Sequence, residues 1–320
     1  MTGQEPISNH SRPWPGKALC AVFAAVPAAV ASTLVALALS GCAVAPAGPS
    51  ASSTAPTTVA LDTRSAAGQL DTFIRMRADS EGRTVFANWW VTVFAVLPGE
   101  RPREIMKLDG FNAGRFAKSA DGGWEFISRE VAFYKDPRGG AILKEWQNPF
   151  TNEKNTVLQV ANDPVNSRYA APKAGEAGRF PFMVSLEDVF LRLDIPLAYP
   201  NPLQPAEFPA ESSGPTYLAS EHFTFFAKTS DLLNARLSSV PLTYAWARTG
   251  PWLPWMKMGQ RPGHLIYSGH GRKYASFDEL PADVKAATLA DFPLYASAPT
   301  SYVTPNETSW TYYRKQAKKP

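Results

Sequence analysis

Thiols and imidazoles are scarce in this sequence: its 320 residues include two cysteines and four histidines. The histidines form no His-x-His or His-Glu-x-x-His pattern, and no Cys-x-x-Cys occurs, so the spacings that build zinc sites are missing. No Gly-x-Ser-x-Gly elbow, phosphate-binding loop or dinucleotide fingerprint is present. Runs of positive charge are also absent, apart from Arg314, Lys315, Lys318 and Lys319 at the C-terminus, which reads as a solvated end rather than a nucleic-acid surface. These absences argue against metal, nucleotide and nucleic-acid partners. They leave a site built from carboxylates, aromatics and arginine, with no cofactor.

What is present begins with an amino-terminal segment of distinctive layout. Residues 1–17 are polar and carry Arg12 and Lys17, and residues 18–39 run without a charge and end at Leu39-Ser40-Gly41-Cys42. A positive stretch followed by an apolar one reads as a secretory signal. The apolar run is long enough to span a bilayer, so an uncleaved anchor is one alternative and ordinary cleavage another. Its Ala/Val composition, the interruption at Pro27 and the small residues before Cys42 favour removal. Leu-Ser-Gly-Cys resembles the lipobox of bacterial lipoproteins. That resemblance implies loss of residues 1–41 and lipid attachment to Cys42, which would tether the protein to a membrane. Ala43 in place of Asp fits an outer-membrane lipoprotein facing the periplasm, if the source is Gram-negative. Cys20 would be discarded with the signal and Cys42 occupied by lipid, so the mature chain would have no free thiol and no disulfide. Removing Glu5, Arg12 and Lys17 from the 28 acidic and 32 basic residues leaves a net charge of +3. Residues 42–60, rich in Ala, Pro, Ser and Thr, read as a flexible tether. Residues 61–320 read as a single β-rich domain; nothing in the sequence fixes its oligomeric state.

Within that domain, short stretches of β-branched and aromatic residues alternate with turn clusters such as Pro98-Gly99 and Asp121-Gly122-Gly123. Strands are expected near 71–77, 84–96, 103–108, 124–134, 141–146, 156–161, 181–192, 217–227, 242–248, 264–269 and 309–313. Short connections imply antiparallel meanders, and so many strands imply a mainly β fold: a large antiparallel curled sheet or barrel, calycin-like in strategy. Residues 194–216 hold six prolines and read as a long crossing loop. One C-terminal helix is expected at 276–289, with Ser276 as N-cap, Glu279 completing a capping box and Pro281 clouding its start.

On a strand, Tyr244, Trp246 and Arg248 share one face, two aromatics followed by a guanidinium. Trp252 and Trp255 follow on a proline-bracketed loop; they either add to a ligand wall or plug a barrel end. Glu221 shares its face with Tyr217, Phe223 and Phe225, so burial would favour its protonated form. Arg129 and Glu130 lie on opposite faces of their strand, and one of them should be a buried charge. His222, His264 and His270 survive removal of residues 1–41; His264 and His270 are too far apart along a strand to share an ion. The Asn162-Asp163-Pro164-Val165-Asn166 run reads first as a structural turn, with a ligand-contacting loop as the alternative.

Several of these stretches, in order, resemble a family catalogued as a domain of unknown function, number 1838. They are Ser128-Arg-Glu-Val-Ala-Phe-Tyr134, Glu145-Trp-Gln-Asn-Pro-Phe150, Asn162-Asp-Pro-Val-Asn166, Pro254-Trp-Met-Lys-Met-Gly259 and Ala275-Ser-Phe-Asp-Glu-Leu280. The resemblance implies a shared fold over most of residues 67–295 and carries no activity with it. The residues themselves point to a pocket for a small apolar or aromatic molecule. Trp90, Tyr244, Trp246, Trp252 and Trp255 would form its wall, and Arg248 and Arg129 would hold an anionic or carbonyl group. In an enzyme of this kind, a cofactor-free lyase, isomerase or hydrolase, Glu221 or Glu130 would be the base and His264 or His222 the acid. A periplasmic ligand carrier and a structural or protein-interaction role in the envelope are the alternatives.

The lipid reading has a direct test. Wild-type protein expressed in a Gram-negative host should partition into detergent and gain acyl mass on its N-terminal peptide. Cys42→Ala should abolish both, and an unchanged mass would dismiss lipidation.

Overall fold

The computed structural model describes residues 60–318. Cys42, the signal and most of the tether lie outside the described residues. Twelve strands and four α-helices occur among the described residues. The helix α1 (Ala66–Arg77) opens the domain. Three long strands follow, β1 (Val85–Val96), β2 (Arg103–Lys118) and β3 (Trp124–Lys135). Five short ones come next: β4 (Glu145–Gln147), β5 (Lys154–Thr156), β6 (Val160–Asn162), β7 (Ser167–Tyr169) and β8 (Phe182–Val184). The second half contains β9 (Asp188–Pro200), β10 (Thr216–Lys228), a short α2 (Thr229–Leu233), β11 (Thr243–Gly250) and β12 (His264–Tyr274). It ends with α3 (Ala282–Asp291) and α4 (Ser309–Ala317).

Ten strands form one antiparallel sheet in the order β6-β3-β2-β1-β12-β11-β10-β9-β8, with β7 also on β3; β4 and β5 pair separately. The mainly β, curled-sheet expectation holds. The barrel alternative does not, because the sheet stays open between short edge strands and α4 packs beside β6 at one edge. The sheet is strongly curled. Residues of β3 and β10, five strand steps apart, line one cavity, whereas a flat sheet would hold those strands about 24 Å apart. The two halves of the chain join at its centre, where β1 pairs with β12 over Phe86 to Val96.

Both ends of the concave side are plugged. At one, Leu70, Phe73 and Ile74 of α1 pack against Val85, Phe126, Leu191 and Phe225. At the other, Trp252, Trp255 and Met256 pack against Val93, Met106 and Leu265. On the convex side, α3 and its neighbours cover β1 to β3 with Leu280, Val284 and Tyr295 over Phe86, Phe111 and Phe133. With both faces covered there, these strands lose the simple alternation of a half-exposed sheet.

Four local expectations are corrected. The 71–77 stretch is helical: Leu70, Phe73, Ile74 and Arg77 fall at helical spacing, and the Ser65 side chain caps the start by accepting from the Gly68 N–H. The 309–313 stretch is also helical, fixed by a reciprocal capping box between Thr308 and Thr311. The proline-rich 194–216 segment is a loop only from 201 to 215: its first seven residues belong to β9, which has a free outer edge beyond its short pairing with β8 and so tolerates Pro196 and Pro200. The 276–289 helix is divided: a single turn of 3-10 helix at Phe277–Glu279 ends before Pro281, and α3 starts after it.

One contact ties the end plug to the sheet. The Lys273 ammonium of β12 donates to the carbonyls of Arg75, Met76 and Ala78, each at 2.8 Å, at the C-terminus of α1. These are the carbonyls that helix geometry leaves unpaired, where the helix dipole favours a cation; burial, with Arg77 and Arg75, pulls the Lys273 proton affinity down against them. Lys273→Met should lower stability by about 2–4 kcal/mol, from three lost charge-assisted hydrogen bonds and three stranded acceptors. Urea unfolding measures this; a loss below about 0.5 kcal/mol would show that the carbonyls find other partners.

Candidate functional site

Between the two plugs lies an internal cavity of about 120 Å³. Strand alternation points Glu130 and Tyr134 of β3, Trp89 of β1, Tyr267 of β12, Trp246 and Arg248 of β11, and Glu221 of β10 into it. Two of the aromatics lie opposite glycines: Trp246 faces Gly269 and Tyr244 faces Gly271 across β12. A Cβ at Gly271 would stand 2.3 Å from the Tyr244 ring, so the missing side chain lets that ring lie across β12. Its hydroxyl then donates to the Asn88 carbonyl at 2.9 Å on β1.

Arg248 and Glu221 face each other on this lining. The Arg248 side chain is 14% exposed and its Nε lies 3.4 Å from Glu221 Oε1. Its Nη2 donates to the Tyr217 hydroxyl. The guanidinium carbon sits 5.2 Å from the centre of the Tyr267 ring and 5.7 Å from that of Trp310, the helix α4 residue that closes this side. Burial alone would favour neutral Arg248, but the Tyr217 and Tyr267 oxygens and the Glu221 carboxylate together hold the charged form more firmly than usual. Burial pushes the Tyr267 hydroxyl up to about 12, against the pull of Arg248.

Glu130 is the carboxyl whose proton affinity is raised. Burial is the main cause, and the Glu221 carboxylate adds to it. A 2.6 Å hydrogen bond from Asn162 Nδ2 to Glu130 Oε1, together with Arg248 and Arg77, opposes the shift without cancelling it. Arg77 reaches toward this region from α1, its guanidinium 4.4 Å from the centre of the Phe126 ring and its Nη2 donating to Asn112 Oδ1 at 3.0 Å. The arrangement is a carboxyl of raised proton affinity beside an arginine-paired carboxylate. Chemically, that combination can give a proton at one point and take one at another.

Among the sequence-derived candidates, the structure brings Glu130, Glu221, Tyr244, Trp246 and Arg248 to this cavity. It places the others elsewhere. Trp90 is on the convex face, stacked on His270 with ring centres 5.6 Å apart. A groove of about 650 Å³ runs past this pair, open to solvent. Arg129 is also convex: its Nη1 donates to the Leu294 carbonyl at 2.6 Å and its Nε sits 3.3 Å from Asp163. Arg129 is thus buried and Glu130 half-buried, one under each covering layer. Trp252 and Trp255, 2% and 3% exposed, belong to the end plug; Trp255 meets Tyr134 and Trp146 edge-on. His222 faces solvent and pairs with Asp194 at 2.7 Å. His264 lies in a shallow depression beside Trp252 and Gly250. Neither histidine meets Glu130 or Glu221 in the cavity, so the geometry does not form the carboxylate–histidine pairing drawn from the sequence.

Trp89, Tyr134, Tyr267 and Asn162 are site residues that sequence reasoning passed over. Asn162 belongs to a turn that is otherwise structural: Asn166 accepts from the Ser128 N–H at 2.8 Å and donates to the Val303 carbonyl at 3.0 Å. A polar residue beside that turn, opposite Glu130 across β3 and β6, was the available signal.

The sequence pattern of a family described as "Protein of unknown function (DUF1838)" matches residues 82–317. The chain belongs to this family. The matched span runs from just before β1 to the end of α4 and so takes in every strand and the whole cavity. No curated protein matches the chain.

The raised proton affinity of Glu130 makes stability depend on pH with a definite sign. The native state keeps the proton that the unfolded chain releases near the ordinary glutamate value of about 4.3. The Glu130 contribution is therefore complete below that value and is lost as pH rises toward the native one. Glu130→Gln should flatten this decline, with the variant gaining on wild type as pH rises through the window. Urea midpoints across a pH series measure the difference, and parallel curves would refute the assignment.

Proposed function

We propose that this protein binds a small, largely apolar molecule in the cavity of its curled sheet and carries out cofactor-free proton transfer on it. The observation that supports this reading is convergence: two carboxyls and a guanidinium from strands far apart in the sheet meet in one aromatic-lined enclosure. Keeping such groups in an interior is costly unless they are paired, and the pairing here leaves Glu130 ready to hold a proton. Glu221, held by Arg248, is the proton acceptor; Glu130, oriented by Asn162, is the donor. At about 120 Å³ the cavity is well below the roughly 300 Å³ of the smallest drug-sized pockets. Its occupant is therefore of single-ring size. We place this chemistry outside the cytoplasm, on a membrane-tethered lipoprotein, from the sequence around Cys42.

Filling the cavity and neutralising its carboxyls separate binding from turnover. Ala132, buried on β3 between Glu130 and Tyr134, lines the cavity wall. Ala132→Leu should remove binding of single-ring compounds in ligand-observed NMR while the protein stays folded, since overpacking typically costs about 1–3 kcal/mol. Glu221→Gln should keep binding and lose about 100-fold or more in turnover once a substrate is found, the usual scale of acid–base catalysis. Binding unaffected by Ala132→Leu would place the ligand elsewhere, and turnover unaffected by Glu221→Gln would leave a carrier rather than an enzyme.

A further inference from the structure

The cavity's unpartnered polar atoms share a property that narrows its ligand. Two buried indole nitrogens on its lining, those of Trp89 and Trp246, have no hydrogen-bond partner, and the Tyr267 hydroxyl has none beyond its neighbour Tyr134. Both indoles can only donate, and the hydroxyl carries a proton to donate. The Trp89 and Trp246 rings stand side by side with centres 6.5 Å apart, and Tyr267 is the next ring, 5.8 Å from Trp246. Of the acceptors around the cavity three are engaged, and Asn162 Oδ1, beside Glu130, is not. Glu221 faces Arg248, Glu130 Oε1 accepts from Asn162, and Tyr217 accepts from Arg248. Buried donors are seldom left unpaired in native proteins, and a group of them on one cavity wall calls for an acceptor from outside the chain.

Charge narrows the choice further. The Arg248 cation is already matched by the Glu221 carboxylate, and a second carboxyl, Glu130, stands on the same lining. An anionic ligand would add negative charge to an enclosure whose closest cation is taken. An alcohol would bring a donor of its own to a wall already rich in donors. We infer that the ligand of this cavity is a neutral carbonyl compound of single-ring size, its oxygen directed at the indole N–H groups of Trp89 and Trp246 and the hydroxyl of Tyr267. The inference rests on the proposed binding function and specifies its ligand class.

The test compares cyclohexanone with methylenecyclohexane, in which a CH₂ group replaces the carbonyl oxygen at nearly the same size, and with cyclohexanol and benzoate. Affinities are measured by ligand-observed NMR on the full mature chain. Cyclohexanone should bind about tenfold or more tightly than each of the others, the difference expected when buried donors gain a partner. Trp246→Phe and Tyr267→Phe, which remove donors while keeping an aromatic ring, should each reduce that ratio. Equal binding of ketone and hydrocarbon would overturn the carbonyl inference and leave the cavity reading standing. Tighter binding of benzoate or cyclohexanol would overturn the ligand class assigned. If no ring compound binds and Ala132→Leu changes nothing, the binding reading fails and the inference with it.

Discussion

A guanidinium taken out of water organises the interior of this protein. Arg248 is tolerable there because every side of it is answered: Glu221 in charge, Tyr217 in hydrogen bonding, Tyr267 and Trp310 by their ring faces. Those partners come from β10, β12 and α4, so holding one cation fixes how far the sheet curls and where the last helix lies. The cost of removing one partner would fall on the others, because a buried charge left unmatched is far more expensive than a matched one. Glu130 stands just beyond this group. The nearest guanidinium is already shared, and its own partner is the neutral amide of Asn162. The two carboxyls occupy one cavity and differ in environment, and burial beside Glu221 raises the proton affinity of Glu130.

Much of the fold was legible because its long strands carry strong local signals. β1, β3, β10 and β11 fall close to where β-branched and aromatic runs between turn clusters put them, and the shared face of Tyr244, Trp246 and Arg248 follows from period two alone. The choice between neighbours was not legible. Trp89 and Trp90 are adjacent, as are Arg129 and Glu130, and in both pairs each member is covered, one by the concave contents and one by the convex side. When both faces of a strand are covered, the pattern that would say which side is inside disappears. The two strand-like stretches that became helices, at either end of the domain, were too short for a period of 3.6 to separate from a period of two without reading their caps. Trp252 and Trp255 show a third limit. Large aromatics on a rigid loop suit a ligand wall and an end plug equally well, and only the surrounding packing decides between them.

The histidines missed the cavity for a related reason. A sequence supplies an inventory of proton-transfer groups, and in a chain with so few imidazoles each one draws attention. His222 sits next to Glu221, and adjacency on a strand puts the two on opposite faces. The tyrosines and tryptophans that do line the cavity are among the many aromatics of the chain, and nothing local marks them out. What selects them is the curl, a long-range property set by pairings between residues more than a hundred positions apart.

The pairing of β1 with β12 at the centre of the sheet governs the order in which this protein can be made. Residues 85–135 contain three strands that pair as they emerge, and residues 182–274 contain the other large group. Each is a half-sheet with an exposed inner edge until Phe86 meets Tyr274, some 190 positions later in the chain. Such distant pairing carries a large loop-closure cost and makes folding slow. On the export route we propose, that delay keeps the central seam open until nearly all of the chain has crossed the membrane.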